Sequence, residues 1–101
     1  MKTAESNIRA GLIAEGVPEH MHDGVIRYLL QGIPPGDFLE AALANDLMES
    51  MGRADENNRE AMWNWCSWIY NCAPGNCHGS YEIVEKWCAA RQAERKQEVQ
   101  S

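Results

Sequence analysis

An all-α fold follows from three features of this sequence. Apolar residues recur at spacings of three, four and seven in several separate segments, as they do along one face of a helix. No stretch alternates apolar and polar residues between hairpin turns, the pattern of a half-buried strand. Glycines and prolines fall between the periodic segments, at Gly16, Gly32 to Gly36, Gly52 and Pro74-Gly75. The expectation is one bundle of four to five short helices over residues 1–101, with frayed ends at about 1–6 and 95–101, where apolar anchors are few. A chain of 101 residues suits a single core, and an apolar content of 45% with four tryptophans can close one.

The first helix is expected over about Ser6 to Glu15, capped by Ser6 or Asn7 and ended by Gly16. Gly11 inside it weakens it by up to about 1 kcal/mol relative to alanine. Pro18 suits the first position of a second helix, where its missing N–H is no loss, and Gly32 is placed to end it. Met21, Val25, Tyr28 and Leu29 form one face of that helix, widened by Ile26 and Leu30. Pro34 and Pro35 hold the residues before them out of the α region, so Gly32 to Gly36 is a turn.

A third helix is expected over Asp37 to Met51, with Leu39, Ala42, Leu43 and Leu47 inward and Gly52 as its terminator. Asp37 and Glu40 in its first turn oppose the positive end of the helix dipole. The fourth should run from about Asp55 to Cys72 with Met62, Trp65, Cys66 and Ile69 inward. Trp63, Trp65, Trp68 and Tyr70 cannot share one face, so this helix is expected at the centre of the bundle, surrounded by the others. The alternative is that Trp63 or Tyr70 reaches the surface as a binding anchor, since Trp and Tyr dominate interface hot spots. Ser80 caps a fifth helix that turns Ile83, Val84, Trp87, Cys88 and Arg91 to one side.

Charge is distributed unevenly. Between residues 10 and 52, Glu15, Glu19, Asp23, Asp37, Glu40, Asp46 and Glu49 stand against Arg27 alone, and seven carboxylates less one cation equal the net charge of −6 of the whole chain. An acidic half directs a small domain toward a basic partner and repels nucleic acid. Direct nucleic-acid binding is disfavoured for the same reason: Arg91, Arg95 and Lys96 are interleaved with Glu94 and Glu98 as on a solvated helix face.

No enzyme signature is present. Cys66 and Cys72 are separated by five residues, outside the usual pairing of zinc ligands, and only Cys72 to Cys77 comes near it. His20 and His22 point to different sides of a helix, and Cys66 and Cys88 are expected on inward stripes, as reduced buried thiols. Cys77-His78 are adjacent in a loop, which rarely gives nucleophile–base geometry, and the glycines lack the lysine and spacing of a phosphate loop. The expectation is a non-enzymatic protein without cofactor or metal. No charge-free stretch is apolar enough for a membrane span and no leader pattern opens the sequence, so a cytoplasmic protein is expected.

The run Gly32-Ile33-Pro34-Pro35-Gly36-Asp37-Phe38-Leu39, with Ala44-Asn45-Asp46-Leu47, Gly52-Arg53-Ala54-Asp55 and Tyr70-Asn71 to Gly79-Ser80, resembles a family of small proteins of phages and mobile elements. The resemblance covers about residues 16 to 90 and departs from the family at His78, where the pattern Cys-Trp-Gly-Ser has tryptophan. It implies an anti-CRISPR protein of type I-F systems, a stoichiometric inhibitor in a bacterial host's cytoplasm that stops the surveillance complex engaging target DNA. RNA-guided effectors hold nucleic acid in positively charged channels, which an acidic surface fits. The expected contacts are Glu19, Asp23, Asp37, Glu40, Asp46 and Glu49, with Trp63 or Tyr70 as anchor. The rival expectations are a phage interaction or assembly module with another target, and a small metal or redox protein using Cys72, Cys77 and His78.

Overall fold

Gly16 ends the first helix, α1 (Ala4–Ala14), in the left-handed conformation at φ 77°. The Val17 N–H then returns to the Leu12 carbonyl and the Gly16 N–H to that of Ile13, so the last carbonyls of α1 are satisfied by the chain that leaves it. The computed structural model describes residues 4–100, with the side chains of 4–96; residues 1–3 and Ser101 of the expected frayed ends lie outside the described residues. Within them α1 starts at Ala4, ahead of the expected caps Ser6 and Asn7, and the last helix continues to Gln100.

Pro18 does not open the second helix. It precedes a single 3-10 turn, Glu19–Met21, with extended backbone at ψ 132°, and α2 (His22–Gln31) begins after that turn. The buried His22 ring closes this corner on the Val17 carbonyl at 2.8 Å. Val25, Ile26, Tyr28 and Leu29 are buried as expected, while Leu30 is exposed. Gly32 ends α2 at φ 71°, and the last helix passes close to it: a Cβ there would lie 2.5 Å from the Cys88 carbonyl oxygen.

The expected third helix is two helices, α3 (Asp37–Leu43) and α4 (Leu47–Arg53). Asn45 takes φ 65°, the Asp46 N–H bonds the Ala41 carbonyl and the Asn45 N–H that of Ala42, which closes α3. Asp46 then caps α4 by accepting from the Glu49 N–H. The turn redirects the stripe: Leu39 and Leu43 are buried, but Leu47 points outward, and Gly52 lies inside α4 rather than ending it.

The expected fourth helix is also broken, into α5 (Glu56–Glu60), capped by Asp55 on the Asn58 N–H, and α6 (Met62–Asn71), with Ala61 as the joint. Only one side of α6 is buried, that of Trp65 and Trp68, and Cys66, Trp63 and Tyr70 are exposed. The expectation of a surrounded central helix therefore fails, and the inward stripe is turned from Cys66 toward Trp68. The final helix, α7 (Tyr81–Gln100), is capped by Ser80 on the Ile83 N–H and buries Val84, Trp87 and Cys88.

The described residues form an all-α fold of seven α-helices rather than four to five, because two expected helices are each divided. α2 packs on α1 and α7, and α3 on α4 and α7, so α2, α3 and α7 form the middle. Tyr28 ties this centre together: its hydroxyl donates to the Cys77 carbonyl at 2.6 Å, and its own carbonyl accepts from Trp87 Nε1. Trp65 is fully buried, edge-on to Phe38 and Trp68, with Nε1 donating to the buried Asn58. The buried Tyr28 hydroxyl, His22 ring, Asn58 amide and Trp65 and Trp87 indoles are thus paired, which makes their burial tolerable.

Candidate functional site

The tight turn at Asn45-Asp46 does more than divide a helix, because it sets the carboxylates of α3 and α4 around one face. Arg53, in the last turn of α4, reaches Asp37 at 2.9 Å and Glu49 at 3.2 Å. Asp46 accepts from the Tyr81 hydroxyl at 2.7 Å, which links the face to the start of α7. That hydrogen bond, with the charges of Asp46, Glu49 and Glu40 behind it, pushes the Tyr81 phenol up to about 12. Arg53 thus bridges Asp37 of α3 and Glu49 of α4, Asp46 is tied to Tyr81, and the charge of Glu40 is also felt at Tyr81. Asp37 and Glu49 remain largely exposed despite their pairing.

Glu19 and Asp23 are placed elsewhere, at the start of α2. Asp23 is paired with Arg9 of α1 at 2.9 Å, and that hydrogen bond holds its carboxyl below the usual aspartate range. The expected single acidic surface is therefore two groups, of which the α3–α4 group is the larger. The acidic half is partly neutralised by cations from outside it, Arg9 and Arg53, which no count along residues 10 to 52 contains.

A groove runs beside the acidic face between the α3–α4 corner and α6. Ala42, Asn45, Cys66 and Ile69 line its whole course; Asp46, Leu47 and Met62 continue it at one end, and Tyr70 and His78 at the other. The wider end encloses about 420 Å³. Tyr70, 87% exposed, lines that end of the groove together with Asn45. Trp63, 81% exposed, lies two turns earlier on α6 and does not line the groove. Both expected anchors are at the surface, and Tyr70 is the one that lines the groove.

Leu47 and Met48 were not expected there. Leu47 is 61% and Met48 81% exposed on α4, next to Asp46 and Glu49 in the chain, so the acidic face carries an apolar component. The signal was present in Asn45-Asp46-Leu47-Met48-Glu49: an asparagine able to adopt positive φ, then an Asp-x-x-Glu start. Reading it as a stop and restart places Leu47 outside.

The thiols divide by environment. Cys77 is buried and pushed up to about 12 by that burial, and Cys88 is buried and raised for the same reason. Cys66 and Cys72 are exposed, so the expectation for Cys66 is corrected. Cys72 donates toward Glu15 at 3.7 Å, and its thiol is raised by burial first and by Glu15 second. Among the described residues, no three His, Cys, Asp or Glu side chains converge to hold a metal ion, and no helix is long and apolar enough to cross a membrane. Comparison with protein-family models, curated proteins and solved structures finds no match to this chain.

Proposed function

We propose that this protein is a non-enzymatic binding protein whose α3–α4 face docks on a basic, nucleic-acid-binding surface of a protein complex. What carries the reading is the Asp37–Arg53–Glu49 bridge and the Tyr81-bound Asp46 on α3 and α4, with the exposed Leu47 and Met48 in the same segment and the exposed Tyr70 at the adjoining groove. Carboxylates of one sign steer a basic partner in, and adjacent aromatic and aliphatic groups supply the area that holds it. Asp46 is pre-oriented by the Tyr81 hydroxyl and the α4 N-terminus, and the Arg53 pairs hold Asp37 and Glu49 in place. An arginine or lysine of the partner can take the place of Arg53 on those two carboxylates.

The resemblance in the Gly32 to Leu39 run and the segments after it supports inhibition of a type I-F CRISPR surveillance complex as the specific role. The test is target-DNA binding by that complex, followed by gel mobility as the protein is added. Wild type is expected to abolish the shift at equimolar amounts. Glu40→Lys with Glu49→Lys is expected to lose the effect, whereas Glu85→Lys with Glu94→Lys on α7 is expected to keep it. Full DNA binding at saturating protein would end the anti-CRISPR reading. Inhibition that survives the α3–α4 reversal would end the acidic-face reading alone.

A further inference from the structure

Around Trp68 and Cys72 a second cavity, of about 350 Å³, opens between α1, α2, α6 and α7. Its size lies in the range of small-molecule sites, about 300 to 1,000 Å³. Ile8, Leu29, Leu30 and Trp87 make its walls apolar, and Trp68 and Arg91 also line it. The Trp68 side chain is only 2% exposed, and its indole N–H, which makes no hydrogen bond among the described residues, is not one of the buried donors: it opens into the cavity. The other two buried tryptophans differ in this respect: Trp65 donates to Asn58 and Trp87 to the Tyr28 carbonyl. A donor at the wall of an apolar cavity is a polar group that a ligand entering the cavity can engage.

Gly11 keeps the donor open. A Cβ at that position would lie 3.9 Å from Trp68 Nε1 and 3.8 Å from Cys72 Sγ, so any longer side chain would fill the space in front of the indole. This gives a reason for glycine within α1, where it weakens the helix. Arg91 adds a second donor and a positive charge. Its guanidinium lies over the Trp87 ring at 4.5 Å, its Nη2 is held by Glu94 at 3.1 Å, and its Nε is buried without an acceptor. The nearest carboxylate on the Cys72 side, Glu15, is not among the lining residues and is occupied by the Ser67 hydroxyl and the Cys72 thiol.

We propose that this cavity is a binding site for a small aryl carboxylate, its ring against Ile8, Leu29 and Trp87 and its carboxylate accepting from the Trp68 indole N–H beside Arg91. The site is separate from the acidic face, and its ligand carries the opposite requirement in charge. An apolar body matches the walls, and an anionic acceptor matches a lone donor next to a cation, where hydrogen bonds are strongest.

The experiment uses naphthoate and isotope-labelled protein, followed by proton–nitrogen correlation spectra. The four tryptophan indoles give separate peaks, and that of Trp68 is identified by its loss in Trp68→Phe. Naphthoate is expected to move the Trp68 indole peak saturably and downfield while that of the exposed Trp63 stays in place. Naphthylmethylammonium, similar in shape and opposite in charge, is expected to bind at least about tenfold more weakly, the scale of one charge-assisted hydrogen bond. Gly11→Leu, checked for helicity by circular dichroism, is expected to abolish binding, and Gly11→Ala to weaken it. The proposal is overturned if millimolar naphthoate leaves the Trp68 peak unmoved, if the ammonium compound binds as well, or if folded Gly11→Leu binds like wild type. Should Gly11→Leu not fold, the comparison of the two ligands on wild type decides alone.

Discussion

Trp65 shows how one side chain can join several elements. It is fully buried, edge-on to Phe38 of α3 and Trp68 of α6, and hydrogen-bonded to Asn58 of α5. Trp65→Ala is expected to lose about 3 to 5 kcal/mol in chemical denaturation, through the cavity and the orphaned Asn58 side chain together. A loss below about 1 kcal/mol, the range of surface substitutions, would contradict its place in the core. Asp55 acts through charge as well. Its carboxylate accepts from the Asn58 N–H at 2.7 Å and pairs with His20 at 3.0 Å, and the first of these chiefly holds it below the usual value of 3.8. A carboxyl lowered on folding stabilises the fold above its unfolded pKa, and that contribution is lost as pH falls through the lower folded value. The acid limb of stability should therefore become shallower in Asp55→Asn, which keeps a capping oxygen without a titrating group. Asp55→Ala should lose about 1 kcal/mol near neutral pH, the usual worth of a cap, measured by urea denaturation.

At the scale of elements, the turns decide more than the helices do. Asn45 at φ 65° is the residue on which α3 stops and α4 starts. Asn45→Gly should be neutral or mildly stabilising, whereas Asn45→Val should lose about 1 to 3 kcal/mol of strain-related stability and disturb the acidic face with it. Thermal unfolding reports the first effect, and the Tyr81 phenol titration the second, since loss of the Asp46 bond should bring that group down from about 12. Gly32→Ala combines positive φ with a Cβ 2.5 Å from a backbone oxygen of α7, so it should be worse than Gly16→Ala, where the contact at 2.7 Å is the movable Asn64 amide. Much of this punctuation was legible in the sequence: Gly16, Gly32, Asp55 and Ser80 end or start helices as their chemistry dictates. Asn45-Asp46 was legible too, but unbroken helical periodicity through Leu43 and Leu47 masked it, because a period cannot register a change of axis.

For the whole molecule, the governing property is where the net charge of −6 comes to rest. If the α3–α4 face engages a basic partner, association should slow as salt rises, since the Debye length shortens from about 30 Å at 0.01 M to about 8 Å at 0.15 M. The salt dependence of the association rate should flatten in Glu40→Lys with Glu49→Lys, and surface binding kinetics at several ionic strengths would measure it. Arg53→Ala frees Asp37 and Glu49 from their internal cation, so it should quicken association with a basic partner while leaving stability within about 1 kcal/mol, as expected for exposed pairs. An unchanged rate in Arg53→Ala would count against those two carboxylates as contacts.

The sequence by itself determined the all-α class, the excess of acid, and the faces of α2 and α7, because each of these depends on residue type and local spacing alone. Its tryptophan-rich segment pointed to a surrounded central helix, with Trp63 or Tyr70 as a surface anchor only as the alternative. Tertiary structure decided the choice: α6 buries only its Trp65 and Trp68 side, since α2, α3 and α7 occupy the middle. It decided as well which carboxylates are linked: Asp37 and Glu49 meet at Arg53 and Asp46 is held by Tyr81, while Glu19 and Asp23 stay in and just after the turn that precedes α2. It set an unpaired Trp68 N–H against Gly11, a pairing of residues far apart in the chain. The physical reason is common to all three: helical period fixes directions within one axis, whereas the relation between axes is set by turns and by packing at a distance.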